Sequence, residues 1–239
     1  MSGESDKTAD STRASGEAEI SILNRRFSGR MVKIIVGPER RKWAIHENML
    51  CPISDFFVAA LTGPFKEREG VIELPEEEVK AFDLFATWIY RPVWEARDLP
   101  AIEADDNLRN YLALYVMSAK FLVNELEVEA SGAIYRYYTL KNDTKINEAI
   151  KPKAEYVHYL FHNTMERAGL RRFFCDLIIV HCKGKEHPSK KDIEHWQTFT
   201  DDRADIGSQL MQSVCEYISG NNLSSLLKQK RLGEFREYK

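Results

Sequence analysis

Nothing in this sequence is long and apolar enough to cross a membrane as a helix. Its strongest uncharged run, Leu177-Ile178-Ile179-Val180, falls far short of the roughly 20 residues that a bilayer requires. Charge of one sign is also lacking. With 34 basic and 37 acidic side chains the net charge is −3, so there is no global basic field, which argues against nucleic-acid binding as the main activity. Cysteine is sparse: Cys51, Cys175, Cys182 and Cys215 sit scattered in apolar contexts, which suits free thiols rather than a disulfide framework. No glycine-rich phosphate loop is present, and no serine or cysteine sits on a strand-to-helix elbow. The first residues, Met1-Ser2-Gly3-Glu4-Ser5-Asp6, are polar and acidic, unlike a secretory signal. These absences lead us to expect an intracellular protein of cytoplasm or nucleus.

What is present is the material of a packed core. The chain is 44% hydrophobic and 30% charged over 239 residues, enough for one large or two small domains. Residues 1–24 carry Ser, Thr, Gly and charge with almost no large apolar side chains before Ile20, and read as a disordered tail. Order is expected from Met31-Val32-Lys33-Ile34-Ile35-Val36, a β-branched strand stopped at Gly37-Pro38. A return strand over 40–45 completes a hairpin. His46 should start a short helix ending at Leu50, and Pro52 should open a second one, ending at Leu61 and carrying Phe56, Phe57, Ala60 and Leu61 on one stripe. Val71-Ile72-Glu73-Leu74 reads as a third strand. Pro75-Glu76-Glu77-Glu78 should then open a helix whose apolar face is Val79, Phe82, Phe85 (or Ala86) and Ile89.

Beyond a polar loop over 97–106, the periodicity is helical to the end. Leu108, Tyr111, Leu112, Tyr115 and Ala119 mark one helix, and Leu126, Ala130, Ile134 and Tyr137 the next. Further helices carry Tyr156, Val157, Leu160 and Phe161, then the apolar run from Leu170 to Cys182, then Ile206, Leu210, Val214 and Ile218. The last 20 residues are polar.

The order strand, strand, helix, helix, strand, helix, loop, helix, helix resembles the BTB/POZ domain, most closely that of short fungal BTB proteins. The resemblance rests on particular pieces. Ile45-His46-Glu47-Asn48-Met49-Leu50-Cys51 matches a hydrophobic-His-Lys-x-x-Leu element, and Ser54-Asp55-Phe56-Phe57 a Ser-x-Phe-Phe element. To these are added Gly63-Pro64-Phe65-Lys66-Glu67, Ile72-Glu73-Leu74-Pro75-Glu76, the helix end Trp88-Ile89-Tyr90, and Leu114-Tyr115-Val116-Met117-Ser118-Ala119-Lys120-Phe121. Together they span about residues 30 to 140. A looser match over Tyr156-Val157-His158 and residues 170–177 resembles the helical extension of fungal members.

The resemblance implies an α+β fold, a small mixed β-sheet capped by α-helices, followed by an all-helical extension. The expected organisation is a tail over 1–24, a BTB/POZ domain over 28–140, a helical extension over 150–220 and a polar tail over 221–239. It implies a non-enzymatic protein–protein interaction module, with His46, Leu50, Phe56, Phe57 and Tyr90 as structural motif residues. Many members are substrate adaptors for cullin-type ubiquitin ligases, using a hydrophobic-x-Glu element. Phe65, Lys66 and Glu67 occupy that place and are the candidate protein-binding residues. In dimeric members an acid near the first strand and a base after the motif histidine line the interface. Here Ser28-Gly29-Arg30 and Glu47 stand instead, which leaves homodimerisation by that route unsupported.

Other chemistry is weaker. Cys175, His181, Cys182, His187 and His195 form the one metal-like cluster, and with it a metal- or thiol-dependent enzyme is the alternative from another class. Their spacing is irregular where zinc sites want paired ligands, so no catalytic residue, metal or cofactor is expected. His46 reads as a structural histidine bonded to neighbouring backbone. Arg171-Arg172 reads as an exposed basic face beside an apolar helix.

Overall fold

Alternation builds the sheet. In Met31–Val36 (β1), Val32, Ile34 and Val36 point into the core while Met31 and Lys33 face outward, the period of a strand with one buried face. Arg41–His46 (β2) returns antiparallel, with Val32 opposite Ile45 and Ile34 opposite Trp43. Val71–Leu74 (β3) joins the other side of β1 in parallel, Ile34 opposite Ile72, giving a three-stranded mixed sheet in the order β2-β1-β3. The computed structural model describes residues 21, 24–91, 99–103, 105–143, 152–183, 194, 197 and 204–218. Residues 221–239 and nearly all of 1–24 therefore lie outside the described residues.

Between the strands run Glu47–Leu50 (α1), a 3₁₀ turn over Cys51–Ile53, Asp55–Thr62 (α2) and a second 3₁₀ turn over Lys66–Glu69; Val79–Ile89 (α3) follows β3. Four boundaries differ from the sequence reading, each for a local reason. The hairpin turn takes residues 37–40, with Gly37 and Arg40 both at positive φ, so the return strand starts one residue later. His46 closes β2 in extended backbone and only caps α1. Pro52 sits in the 3₁₀ turn, and Ser54 opens α2 because its hydroxyl accepts from the Phe57 amide at 3.2 Å, which satisfies an otherwise orphaned donor. Pro75 lies in a turn closed by Glu77 N–H to Leu74 O at 3.3 Å, so α3 begins only at Val79.

The chain packs as two compact units, Met1–Glu95 with Phe121–Val123, and Ala96–Lys120 with Asn124–Lys239. The core of the first unit is the inner sheet face covered by a string of aromatic rings. Trp43 meets Phe82 at 4.9 Å, Phe82 meets Phe85 at 5.3 Å, and Phe57 meets Phe85 at 6.1 Å. The string continues from Phe57 to Phe121 at 5.4 Å, and Phe56 stacks on Phe121 at 4.9 Å. Such offset and tilted pairs add to the burial of large apolar areas.

The second unit is helical: Asp105–Lys120 (α4), Asn124–Asp143 (α5), Ala154–Asn163 (α6), Gly169–Lys183 (α7) and Ala204–Ile218 (α8). α4 packs on α5 and α6, α6 on α7, and α7 on α8. The expected faces are the buried ones in α5 and α6: Leu126, Ala130, Ile134 and Tyr137, then Tyr156, Val157, Leu160 and Phe161. Tyr135 and Tyr138 of α5 lie 5.2 and 6.1 Å from the Phe173 ring of α7. Leu99 and Ile102 are buried within the segment expected to be a polar loop, and the Tyr111 hydroxyl donates to Pro100 O at 2.6 Å. No helix among the described residues is long and apolar enough to cross a membrane.

Candidate protein-binding surface

The segment from α2 to β3 is short, and its geometry is fixed at both ends. Gly63 N–H closes α2 onto Ala59 O at 2.9 Å. The Phe65 ring lies so close over Gly63 that a Cβ there would come within 3.0 Å of it and 2.4 Å of Ala59 O. Only glycine leaves the ring that seat. Lys66–Glu69 then makes one 3₁₀ turn, with Arg68 N–H to Phe65 O at 3.2 Å, and Gly70 ends it in the left-handed region with its N–H on Glu67 O at 2.9 Å.

One side chain ties this loop to the sheet. Arg30, just before β1, donates from Nη1 to Arg68 O at 2.7 Å and from Nη2 to Leu61 O at 3.2 Å, while Nε meets Glu47 at 2.5 Å. It thereby caps the C-terminal end of α2, where carbonyls lack helical partners. Sequence reasoning took Arg30 and Glu47 as two separate departures from a motif. The fold makes them one ion pair, a cation and an anion satisfied within the chain.

On this scaffold Phe65 is 57% exposed, while Lys66 is exposed and Glu67 partly covered. The ring rests on Gly63 yet presents more than half its surface to solvent. That combination of a large apolar side chain and a braced backbone suits an anchor for a partner. Val58, Met31 and Val71 of the same unit are also exposed.

The structural motif residues are placed as follows. Leu50 and Phe57 are fully buried, and Phe56 is partly buried against Phe121. His46 departs from the expected pattern, since its partner is a side chain rather than neighbouring backbone. The Tyr90 hydroxyl accepts from the His46 amide at 3.2 Å and shares a hydrogen bond with Nδ1 at 3.0 Å. Tyr90 follows the last turn of α3, which brings its phenol to the end of β2. The pair joins sheet to helix. Phe27 and Arg26 complete this corner, and sequence reasoning missed both. The available signal was Arg25-Arg26-Phe27, a cationic and aromatic run shortly before the first strand.

Reactive groups are not gathered here. Among the described residues, no group of three or more His, Cys, Asp or Glu is placed to hold a metal. Cys175 is buried in α7, and burial, followed by the charge of Asp176, pushes its thiol up to about 12, so it is held as the poorly nucleophilic protonated form. The side chains of His181 and Cys182, and all of His187 and His195, lie outside the described residues.

Arg171 corrects another expectation. It is 2% exposed rather than on an open face. Its guanidinium donates to Thr164 Oγ1 at 2.9 Å, Phe161 O at 2.7 Å and Thr164 O, and meets Asp205 at 3.0 Å. It belongs to the packing of α7 against α6 and α8, beneath a surface pocket of about 510 Å³ over residues 164–167.

No protein-family model matches the chain. No curated protein matches it either.

Proposed function

We propose that this chain is a non-enzymatic protein-binding module of the BTB/POZ type, with the loop Phe65-Lys66-Glu67 as its contact surface. The observation that carries the reading is Phe65, 57% exposed on a loop braced by Arg30 and seated on Gly63. An exposed aromatic held on fixed backbone gives up little conformational entropy on binding, which is why such residues dominate interface energies. The mixed sheet, the His46–Tyr90 pair and the buried Leu50 and Phe57 support the same reading through the motif order of the sequence.

The partner class this resemblance implies is a cullin, and the hydrophobic-x-Glu arrangement of Phe65 and Glu67 favours it. The chain would then serve as a substrate adaptor for a cullin-type ubiquitin ligase. Titration calorimetry with a purified cullin N-terminal domain tests it. We expect measurable binding that Phe65→Ala weakens by at least about tenfold, with a stability change under about 0.5 kcal/mol because the side chain is mostly exposed. No heat of binding with the unaltered chain would remove the cullin reading. Affinity purification with mass spectrometry, in which Phe65→Ala loses no partner, would remove the loop as the contact surface. Because Glu47 is already paired with Arg30 inside the chain, its charge does not call for a second copy.

A further inference from the structure

The segment leading into β1 is a strap bound to the first unit by its side chains. Arg26 donates from Nη2 to Ile89 O at 2.9 Å and from Nη1 to Arg91 O at 3.3 Å, and its Nε approaches Met49 Sδ at 3.4 Å. A cation is thus held against the carbonyls at the C-terminal end of α3, the negative end of that helix. The Phe27 ring lies parallel to Tyr90 at 6.0 Å and edge-on to His46 at 5.7 Å, and remains 43% exposed.

Ser28 follows, exposed, in a small closed network. Its hydroxyl donates to Arg25 O at 3.0 Å and accepts from Asn48 Nδ2 at 3.2 Å, and the same amide donates to Arg25 O at 3.1 Å. Gly29 turns the chain at φ +94°, and a Cβ there would meet the Asn48 side chain at 3.0 Å.

The sequence Arg25-Arg26-Phe27-Ser28 places two guanidinium groups at the third and second positions before an accessible serine hydroxyl. This is the pattern that acid-lined peptide grooves of arginine-directed serine kinases read, through paired carboxylate–guanidinium contacts. We propose that Ser28 is a phosphorylation site for an arginine-directed serine kinase, and that the phosphate releases the strap from the end of α3. Ser28 Oγ attacks the γ-phosphorus of ATP. The Oγ–P bond forms, the bond to the bridging oxygen breaks to leave ADP, and the hydroxyl proton passes to the catalytic carboxylate of the kinase.

Two consequences follow from the geometry. Arg26 is engaged on Ile89 and Arg91 in the docked strap, so the kinase reads the undocked strap, and the rate scales with the undocked fraction. After transfer, the ester oxygen has no hydrogen to donate to Arg25 O. The phosphate instead sets a charge of about −2 against that carbonyl. Both effects disfavour redocking.

The test uses the whole chain with ATP and the catalytic subunit of an arginine-directed kinase, with phosphate mapped by mass spectrometry. A synthetic peptide of residues 22–34 sets the undocked rate, and Ser28→Ala is the blank. We expect Ser28 to be phosphorylated in the chain at about a tenth of the peptide rate or less. Phe27→Ala, at an exposed position between the arginines and the serine, should raise the rate in the chain about fivefold and leave that of the peptide unchanged. The phosphorylated chain should show faster amide hydrogen exchange over residues 24–30. Phosphate absent from Ser28 in the peptide, or present only in the peptide and in neither chain, overturns the site. A chain rate equal to the peptide rate, or exchange unchanged by phosphate, overturns the release of the strap.

Discussion

Arg30 and Arg171 are both arginines that bind backbone carbonyls and one carboxylate, and their surroundings set their different worth. Arg30 and Glu47 are 41% and 23% exposed, so water competes for the pair and the Coulomb gain is small. Arg171 is buried, its ring-facing side 4.7 Å from the Phe161 centroid, and Asp205 is largely covered with it. Removing Arg171 takes an ion-pair partner from a largely covered carboxylate and a donor from the Phe161 and Thr164 carbonyls, so Arg171→Met should cost about 3–5 kcal/mol. For Arg30→Met the expected loss is about 1–2 kcal/mol. Urea denaturation of both variants measures the contrast, and equal losses would contradict it. Neither role could be read from the sequence. Arg171 beside Arg172 looks like a surface basic pair until Thr164 and Asp205 are brought to it, and Arg30 looks like a substituted motif position until Leu61 and Arg68 arrive.

The helices were legible as elements, because apolar residues at helical spacing must share one face and a buried face needs no knowledge of what covers it. Their ends were less legible. Ser54 shows why: its hydroxyl accepts from the Phe57 amide and donates to Phe121 O at 2.5 Å, across 67 residues. The cap alone is local and readable; the second bond comes only from the tertiary fold. Ser54→Ala should therefore cost more than an exposed helix cap, about 2–3 kcal/mol, since a buried carbonyl and a buried amide both lose a partner. A fall in denaturation midpoint no larger than that of an exposed cap would argue against the shared role. The hairpin turn carries a similar lesson. Gly37 marked its start, but not that Arg40 would close the turn in the left-handed region with its N–H on Gly37 O at 3.0 Å, nor that its guanidinium would reach Glu73 on β3 at 2.7 Å.

The whole molecule responds to alkaline pH through groups that burial keeps neutral. The Cys175 thiol is raised from 9.0 to about 12, and the Tyr115 phenol is raised as well, by burial first and then by Glu127. A group whose pKa is higher in the folded chain holds its proton more tightly there. Its stabilisation is complete below the unfolded value and is lost as pH rises through the folded one. Stability should hold to about pH 9 and decline above it, because the unfolded chain ionises these groups first. Urea midpoints taken from neutral to alkaline pH measure the decline, and Cys175→Ala should make its onset shallower. A midpoint that stays level up to the folded value of Cys175 would contradict a thiol held protonated by burial.

Sequence alone determined the α+β class, the three strands, the helical second half and the aromatic residues of the core. All of these follow from periodicity and turn chemistry within a few neighbouring residues. It also singled out Phe65-Lys66-Glu67, because order along the chain carries that motif. Tertiary structure decided which polar side chains are satisfied and by whom: Arg30 on Glu47, Leu61 and Arg68, Arg26 on the end of α3, His46 on Tyr90, Arg171 on Asp205. A hydrogen bond or ion pair is a meeting of two groups at about 3 Å. Where those groups lie tens of residues apart, only the packed backbone brings them together.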